Sequence, residues 1–412
     1  MTPRRLALLL LMVLCLMPLG LRAQWRVQNL PFTGDTAVWM VNVYPGHETY
    51  QLEGHTALVV QTPLGEPQAY NYGVFDFNSP NFTARFVKGE TDYMAVRWPM
   101  GPFLMEYLQD GRRVVAHRLA IDAPTRRRLI ATLESHVRPE NRTYRYNYLY
   151  NNCATRPLAA VESVLPDSIK FGPAPFEAQS SRPMTFRNIM RHYHARYPWY
   201  QFGIDLALGS GIDKPIGSRE ATFAPVEMDL MLDRATVAGK PLIDKTVVIN
   251  DADPQAAVDE PTPWYGTPDF LFWLLFLAAL LFTVYDPLNH EVTRWFDAVF
   301  FGLVGLTGCV LTYLIFVSVH EATSPNWLYV WINPLALLVP IFIWIKRTKK
   351  LLVCYQIANF AALFALSVAW AWLPQSGNTA FIPLIATEML RSASYIVNTL
   401  PRRRANKNKP TE

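Results

Sequence analysis

Cysteine is scarce in this chain, with four in 412 residues. Only Cys153 falls between residue 24 and the apolar segments that begin near residue 268. One thiol has no partner there, which excludes a disulfide framework for that portion. The chain has no internal repeat of the solenoid kind. It also lacks a set of Cys, His and carboxylates with metal-ligand spacing. His192 and His194 alternate in Arg191-His192-Tyr193-His194, but no cysteine or clustered carboxylate accompanies them. A general excess of charge is missing too. The net charge of +5 comes from Arg4-Arg5 and from the short basic stretches 346–350 and 402–409; without them the chain is mildly acidic. A nucleic-acid partner is therefore not expected.

What the chain has is apolar length at both ends. Arg4 and Arg5 precede an apolar run, Leu6 to Leu19, and Leu21-Arg22-Ala23 is a tolerable cleavage site, so residues 1–23 read as a signal peptide or signal anchor. Cys15 follows Leu14 rather than a small residue, which argues against a lipoprotein signal. From Pro268 the sequence predicts spans at about 268–285, 296–319, 327–345, 351–373 and 379–397, each near the ~20 residues that cross a bilayer. With residues 24–265 exported, five spans place Arg294, residues 346–350 and Arg402-Arg403-Arg404 on the cytoplasmic side, as the positive-inside rule requires. Four or six spans would misplace a cluster. The expected organisation is an exported domain over 24–250, an Asp-, Pro-, Ala- and Glu-rich linker over 251–266, a membrane domain over 267–400 and a basic tail over 401–412.

Cys153 follows Asn151-Asn152 and precedes Ala154-Thr155-Arg156-Pro157. Residues 154–165 read as a helix with Leu158, Val161 and Leu165 on one face and Pro157 in the first turn. Cys153 thus sits at a helix start, where the dipole is expected to favour thiolate. A thiol nucleophile needs a base, usually histidine. Gly54-His55-Thr56-Ala57-Leu58-Val59-Val60 reads as a strand with His55, Ala57 and Val59 on one face; residues 68–77 read as its hairpin partner across a turn at 64–67. A four-residue loop there sets Asp76 opposite His55 as the orienting carboxylate, with Asn71 as the weaker alternative. A structural cysteine and an ordinary strand histidine are the plain alternatives; the pairing of the two is what favours chemistry.

The elements Pro45-Gly46, Gly54-His55, Tyr70-Asn71-Tyr72-Gly73, Phe75-Asp76-Phe77, Pro139-Glu140-Asn141-Arg142 and Tyr146-Asn147-Tyr148 through Asn152-Cys153-Ala154-Thr155-Arg156 resemble the periplasmic domain of the Lnb family of lipoprotein N-acyltransferases. The similarity continues through Pro198-Trp199, Phe202 to Gly209, Asn326-Trp327 and Asn333-Pro334. His47 departs from the pattern, which has an acidic or polar residue there. The resemblance implies an α+β, permuted papain-like (NlpC/P60-like) domain in which the His strand precedes the Cys helix. An all-α membrane domain of about five helices follows it. It implies a bacterial inner-membrane enzyme that moves a fatty acyl chain from a phospholipid to the α-amino group of a diacylated apolipoprotein cysteine. On this reading Cys153 is the nucleophile, His55 the base, and Asn152 supports the oxyanion beside the Cys153 amide. Thioester-to-amide transfer is downhill, so no cofactor is expected, and no metal.

Two further classes fit parts of the pattern: a membrane-anchored cysteine hydrolase of the cell envelope, and a non-catalytic envelope maturation module. In the membrane part, His320 and Glu321 lie at the outer end of the second span and are candidates for contact with a headgroup or the incoming amine. Glu388 and Arg391 fall three residues apart within the last span, either functional or tying helices together.

Overall fold

A computed structural model describes residues 30–75, 80–289 and 291–400. The expected signal over 1–23, Asp76 and the tail over 401–412 lie outside the described residues. The N-terminal domain is built on a seven-stranded sheet. Its strands are β1 (Ala37–Val43), β2 (His55–Gln61), β3 (Gln68–Val74), β4 (Asp92–Pro99), β5 (Val114–Leu119) and β6 (Thr143–Arg145). After a small three-stranded sheet of β7 (Ile169–Lys170), β8 (Thr236–Val237) and β9 (Lys240–Pro241), β10 (Ile243–Asn250) completes the large one. The order is β10-β5-β1-β2-β3-β4-β6, and every neighbouring pair is antiparallel.

Every residue of β1 is buried, because both faces of the sheet are covered. Val38 and Met40 point into one core with Leu129, Leu133 and Leu158, from helices Ala123–His136 and Thr155–Glu162. Trp39, Val41 and Val43 point into the other, with Phe103, Leu104 and Tyr107 of helix Met100–Gln109. Ala57 and Val59 share this second core, so the face expected for His55 is the one observed. The hairpin register is not the expected one. Ala57 pairs with Asn71 and Val60 with Gln68. The ladder stops there because the connection 62–67 carries Pro63 and Pro67, neither of which has an N–H to donate. The register is shifted by three residues from the one that would set Asp76 opposite His55.

The C-terminal region is helical. Among the described residues, three segments are long and apolar enough to cross a membrane: Pro268–Asn289, Arg294–Phe316 and Lys346–Trp372. The segment expected as a span at 327–345 is instead a shorter, broken run, Trp327–Phe342, in which Asn333 caps a new turn starting at Pro334. The final helix, Phe381–Thr399, buries Glu388 and Arg391. These do not pair with each other. Arg391 bonds Asp286 at 2.8 Å and Asp297 at 2.6 Å, on the first two long helices, and Glu388 accepts from Asn359 at 3.0 Å. The Arg391 charge persists in an apolar bundle because it is paired, and together with the Asn359–Glu388 bond these contacts tie four helices together.

The two regions are joined by more than the linker. Helix Pro198–Ala207 sets Trp199 on Phe272 and Phe202 on Phe272 and Phe381, with ring centroids 5.2–5.7 Å apart. Beside this apolar contact lies a polar one. Buried Asp205 accepts from Arg187, Arg191 and Asn378 at 2.8–3.0 Å, and Arg191 also reaches Ser376. Backbone bonds from Gly209 to Ala322 and from Val319 to Lys88, each 2.8 Å, close the seam.

Candidate active site

The site begins with a glycine. Gly54 adopts φ +93°, and a Cβ there would collide with the Val43 carbonyl, so only glycine lets the chain turn into β2 at this point. The turn delivers His55 to the face shared with Ala57 and Val59. Its ring stacks against Tyr107, with centroids 6.0 Å apart, and lies 6.5 Å from Phe103. Its Nε2 lies 2.7 Å from Asn71 Oδ1. Asn71 faces Ala57, one pleat along the same face, and is therefore the diagonal neighbour of His55, within side-chain reach. An acceptor at this nitrogen fixes the proton on Nε2 and leaves Nδ1 bare, the tautomer a base requires. Of the two orienting residues expected from the sequence, Asn71 is the one placed on His55.

Cys153 arrives from the opposite side of the sheet. Helix Thr155–Glu162 has Ala154 as its N-cap and Leu158 and Val161 in the core, so Cys153 sits just ahead of the first turn. Asn152 anchors that turn. Its Oδ1 accepts from the Ala154 and Thr155 amides at 2.9 Å. Its Nδ2 donates to Tyr148 O and Phe223 O at 2.8 Å. Both amide hydrogens are committed, so the expected oxyanion role does not fit the Asn152 side chain; it is a scaffold for the turn. The backbone amides of Thr56 and of Cys153 itself are the groups that favour a negative sulfur. A bulge lies beside the thiol's residue: β3 and β4 slip register between Asn71 and Val74, and Gly73 has φ +93°, where a Cβ would meet that of Cys153 at 3.4 Å.

Cys153, His55 and Asn71 line one cavity of about 270 Å³, with Tyr93, Tyr107 and Tyr146 among its walls. Burial dominates the electrostatics. It pulls the His55 pKa down to about 4, with the bond to Asn71 opposing and Arg112 assisting. Burial also pushes Cys153 up to about 12, opposed by the Thr56 amide. The expected lowering by the helix dipole is outweighed: the helix is only eight residues long and the thiol precedes it. Both shifts favour neutral thiol and neutral imidazole over a thiolate–imidazolium pair at neutral pH.

Two groups around the cavity escaped sequence reasoning. Glu53, next to Gly54, is buried and accepts from His194 Nε2 at 2.6 Å and from the Tyr148 hydroxyl. The other ring nitrogen of His194 meets Gln201 at 2.7 Å. Burial alone would lower the His194 pKa, but Glu53 outweighs it and the net direction is up. His194 is thus a fully buried strut, while His192 packs on the rings of Phe176 and Tyr193. The second group is Arg112, 1% exposed at the cavity wall. Contiguity of Glu53-Gly54-His55 was an available signal for the first; Arg112 gave none. His320 and Glu321 contact the N-terminal domain: His320 Nε2 donates to Phe86 O at 2.9 Å, and Glu321 receives a 3.4 Å bond from Asn147.

Comparison with known proteins gives two matches. The family model for the Lnb N-terminal periplasmic domain matches residues 23–192, and that for the Lnb transmembrane domain matches residues 260–403. No curated protein and no solved structure matches the chain.

Proposed function

On the premise that this chain belongs to the Lnb family, both of whose domains it carries, we propose that it is a membrane-bound lipoprotein N-acyltransferase with Cys153 as nucleophile. The observation that carries the reading is a single cavity that joins Cys153 to a His55–Asn71 pair, on a domain fastened to an apolar helical bundle. Family membership suggests an enzyme, and membrane attachment suits substrates that are lipids. The domain is read as a permuted papain-like fold, since the His55 strand precedes the Cys153 helix. The bundle is read as five crossings, counting Trp327–Phe342 and Phe381–Thr399 beside the three long segments.

Cys153 Sγ attacks a phospholipid ester carbonyl as His55 Nδ1 takes the thiol proton. The oxyanion forms against the Thr56 and Cys153 amides. The imidazolium returns its proton to the departing lysophospholipid alkoxide, leaving an acyl-thioester. The α-amine of an S-diacylglyceryl cysteine then attacks the thioester. An N-acyl bond forms, the C–S bond breaks, and the amine proton passes through His55 to restore the thiol. Asn71 holds the ring throughout and receives a stronger bond when the ring is charged.

The test is mass spectrometry of lipoprotein N-termini from cells with the wild-type chain, with Cys153→Ala and without the protein. The wild type alone should give triacylated N-termini. Diacylated termini in all three would sink the proposal, and a change confined to peptidoglycan stem peptides would favour the hydrolase reading.

A further inference from the structure

Arg112 is a charged side chain with almost no exposure and incomplete partners. Its Nε donates to the Tyr44 carbonyl at 2.8 Å, and its guanidinium lies over the Tyr107 ring, 5.1 Å from the centroid. Nη2 is buried and has no hydrogen-bond partner. Among the described residues no carboxylate lies within ion-pair range of it. Glu106 lines the same cavity without forming that pair. A guanidinium keeps its proton in a protein, so an unpaired one inside a wall carries a large desolvation cost. Native structures leave such groups uncompensated mainly where a ligand completes them. Arg112 and Gln51, whose buried Oε1 also lacks a partner, line the cavity that holds Cys153 and His55.

We propose that Arg112 binds the phosphodiester of the donor lipid and so selects phospholipids over neutral diacylglycerols. The inference rests on the acyltransferase reading above. A glycerophospholipid carries its phosphate on the same glycerol as its ester carbonyls, so one cavity holds the reacting carbonyl at Cys153 and the phosphate at the guanidinium. Tyr107 connects the two groups, because it stacks on His55 and lies under Arg112. The fork of Arg112 suits two phosphate oxygens, and a Lys there offers a point charge only.

The experiment uses the full chain in detergent micelles and measures acyl-thioester formation on Cys153 by intact-protein mass. The donors are a phosphatidylethanolamine and a diacylglycerol with the same acyl chains. The wild type should prefer the phospholipid, and Arg112→Gln should reduce its use of that donor by roughly 10- to 100-fold. Use of diacylglycerol should fall by much less, since that donor carries no phosphate, so that the preference collapses. Arg112→Lys should retain an intermediate preference. A second arm needs no variant: glycerophosphoethanolamine should slow alkylation of wild-type Cys153, and glycerol should not. An equal fall on both donors, or protection by neither compound, overturns the assignment. Absence of acyl-thioester from every ester in the wild type would instead overturn the acyltransferase reading itself.

Discussion

Replacing Asn71 with alanine isolates what holds the base. The bond removed is the 2.7 Å contact between His55 Nε2 and Asn71 Oδ1. In the resting site it joins two neutral groups and is worth about 1 kcal/mol; with the ring protonated it becomes charge-assisted, at about 1.5–3 kcal/mol. The difference, about 0.5–2 kcal/mol, falls on the barrier and predicts a roughly 2- to 30-fold slower thioester formation. The loss should not come from mis-protonation. Asn71 raises the His55 pKa against the lowering by burial, so its removal moves the acid limb of the rate further below pH 4, and the ring stays neutral at pH 7. Asn71→Asp acts in the opposite direction: a carboxylate favours imidazolium, lifts the acid limb toward neutrality and retains most of the rate. Rapid-quench measurement of acyl-thioester between pH 3 and pH 8, with thermal unfolding as a folding control, reads all of this. Full activity of Asn71→Ala beside an inactive Asp76→Asn would refute the reasoning and return the role to the carboxylate.

Alkylation of Cys153 in the solubilised chain should keep accelerating with pH through pH 9, because burial holds the thiol at about 12; a plateau near pH 7 would reveal a preformed thiolate–imidazolium pair. Glu53→Gln should destabilise the N-terminal domain by about 3 kcal/mol through the broken bond to buried His194. His194 has a raised folded pKa, so its stabilisation is complete below the unfolded value of about 6.5 and fades as pH rises through the folded one; the gap in Tm between wild type and Glu53→Gln should narrow from pH 6 to pH 9. Reporter fusions at residues 255 and 348 should mark opposite sides of the membrane, and the same side for both would remove the five-crossing reading.

Local signals carried far in this chain. The glycine before His55, the Asn-Asn turn before Cys153 and three of the five apolar lengths after Pro268 correspond to elements of the structure. The hairpin register is not legible in the sequence, because His55 reaches Asn71 diagonally rather than by direct opposition and the two prolines lengthen the connection. Asn152 looked like an oxyanion donor because a polar residue beside a nucleophile has two possible uses, and only the carbonyls of Tyr148 and Phe223 reveal which is taken. The same holds at long range. Nothing near Arg391 in sequence points to Asp286 and Asp297, about a hundred residues away, and nothing near Arg112 announces a cavity.

The seam formed by Phe202, Asp205 and the loop around His320 fastens the N-terminal domain to the helical bundle, and on the acyltransferase reading it would hold the Cys153 cavity at one height over the bilayer. A tethered domain would dip toward its substrates; this one is bolted. On that reading each lipid would instead climb to a stationary bench, and the work of lifting an ester or an amine out of its leaflet would recur at every turnover. Substrates are then ranked by vertical reach as well as by chemical fit. A lipoprotein whose first residues are pinned flat against the membrane would then be a poor acceptor, however well its cysteine matches the cavity.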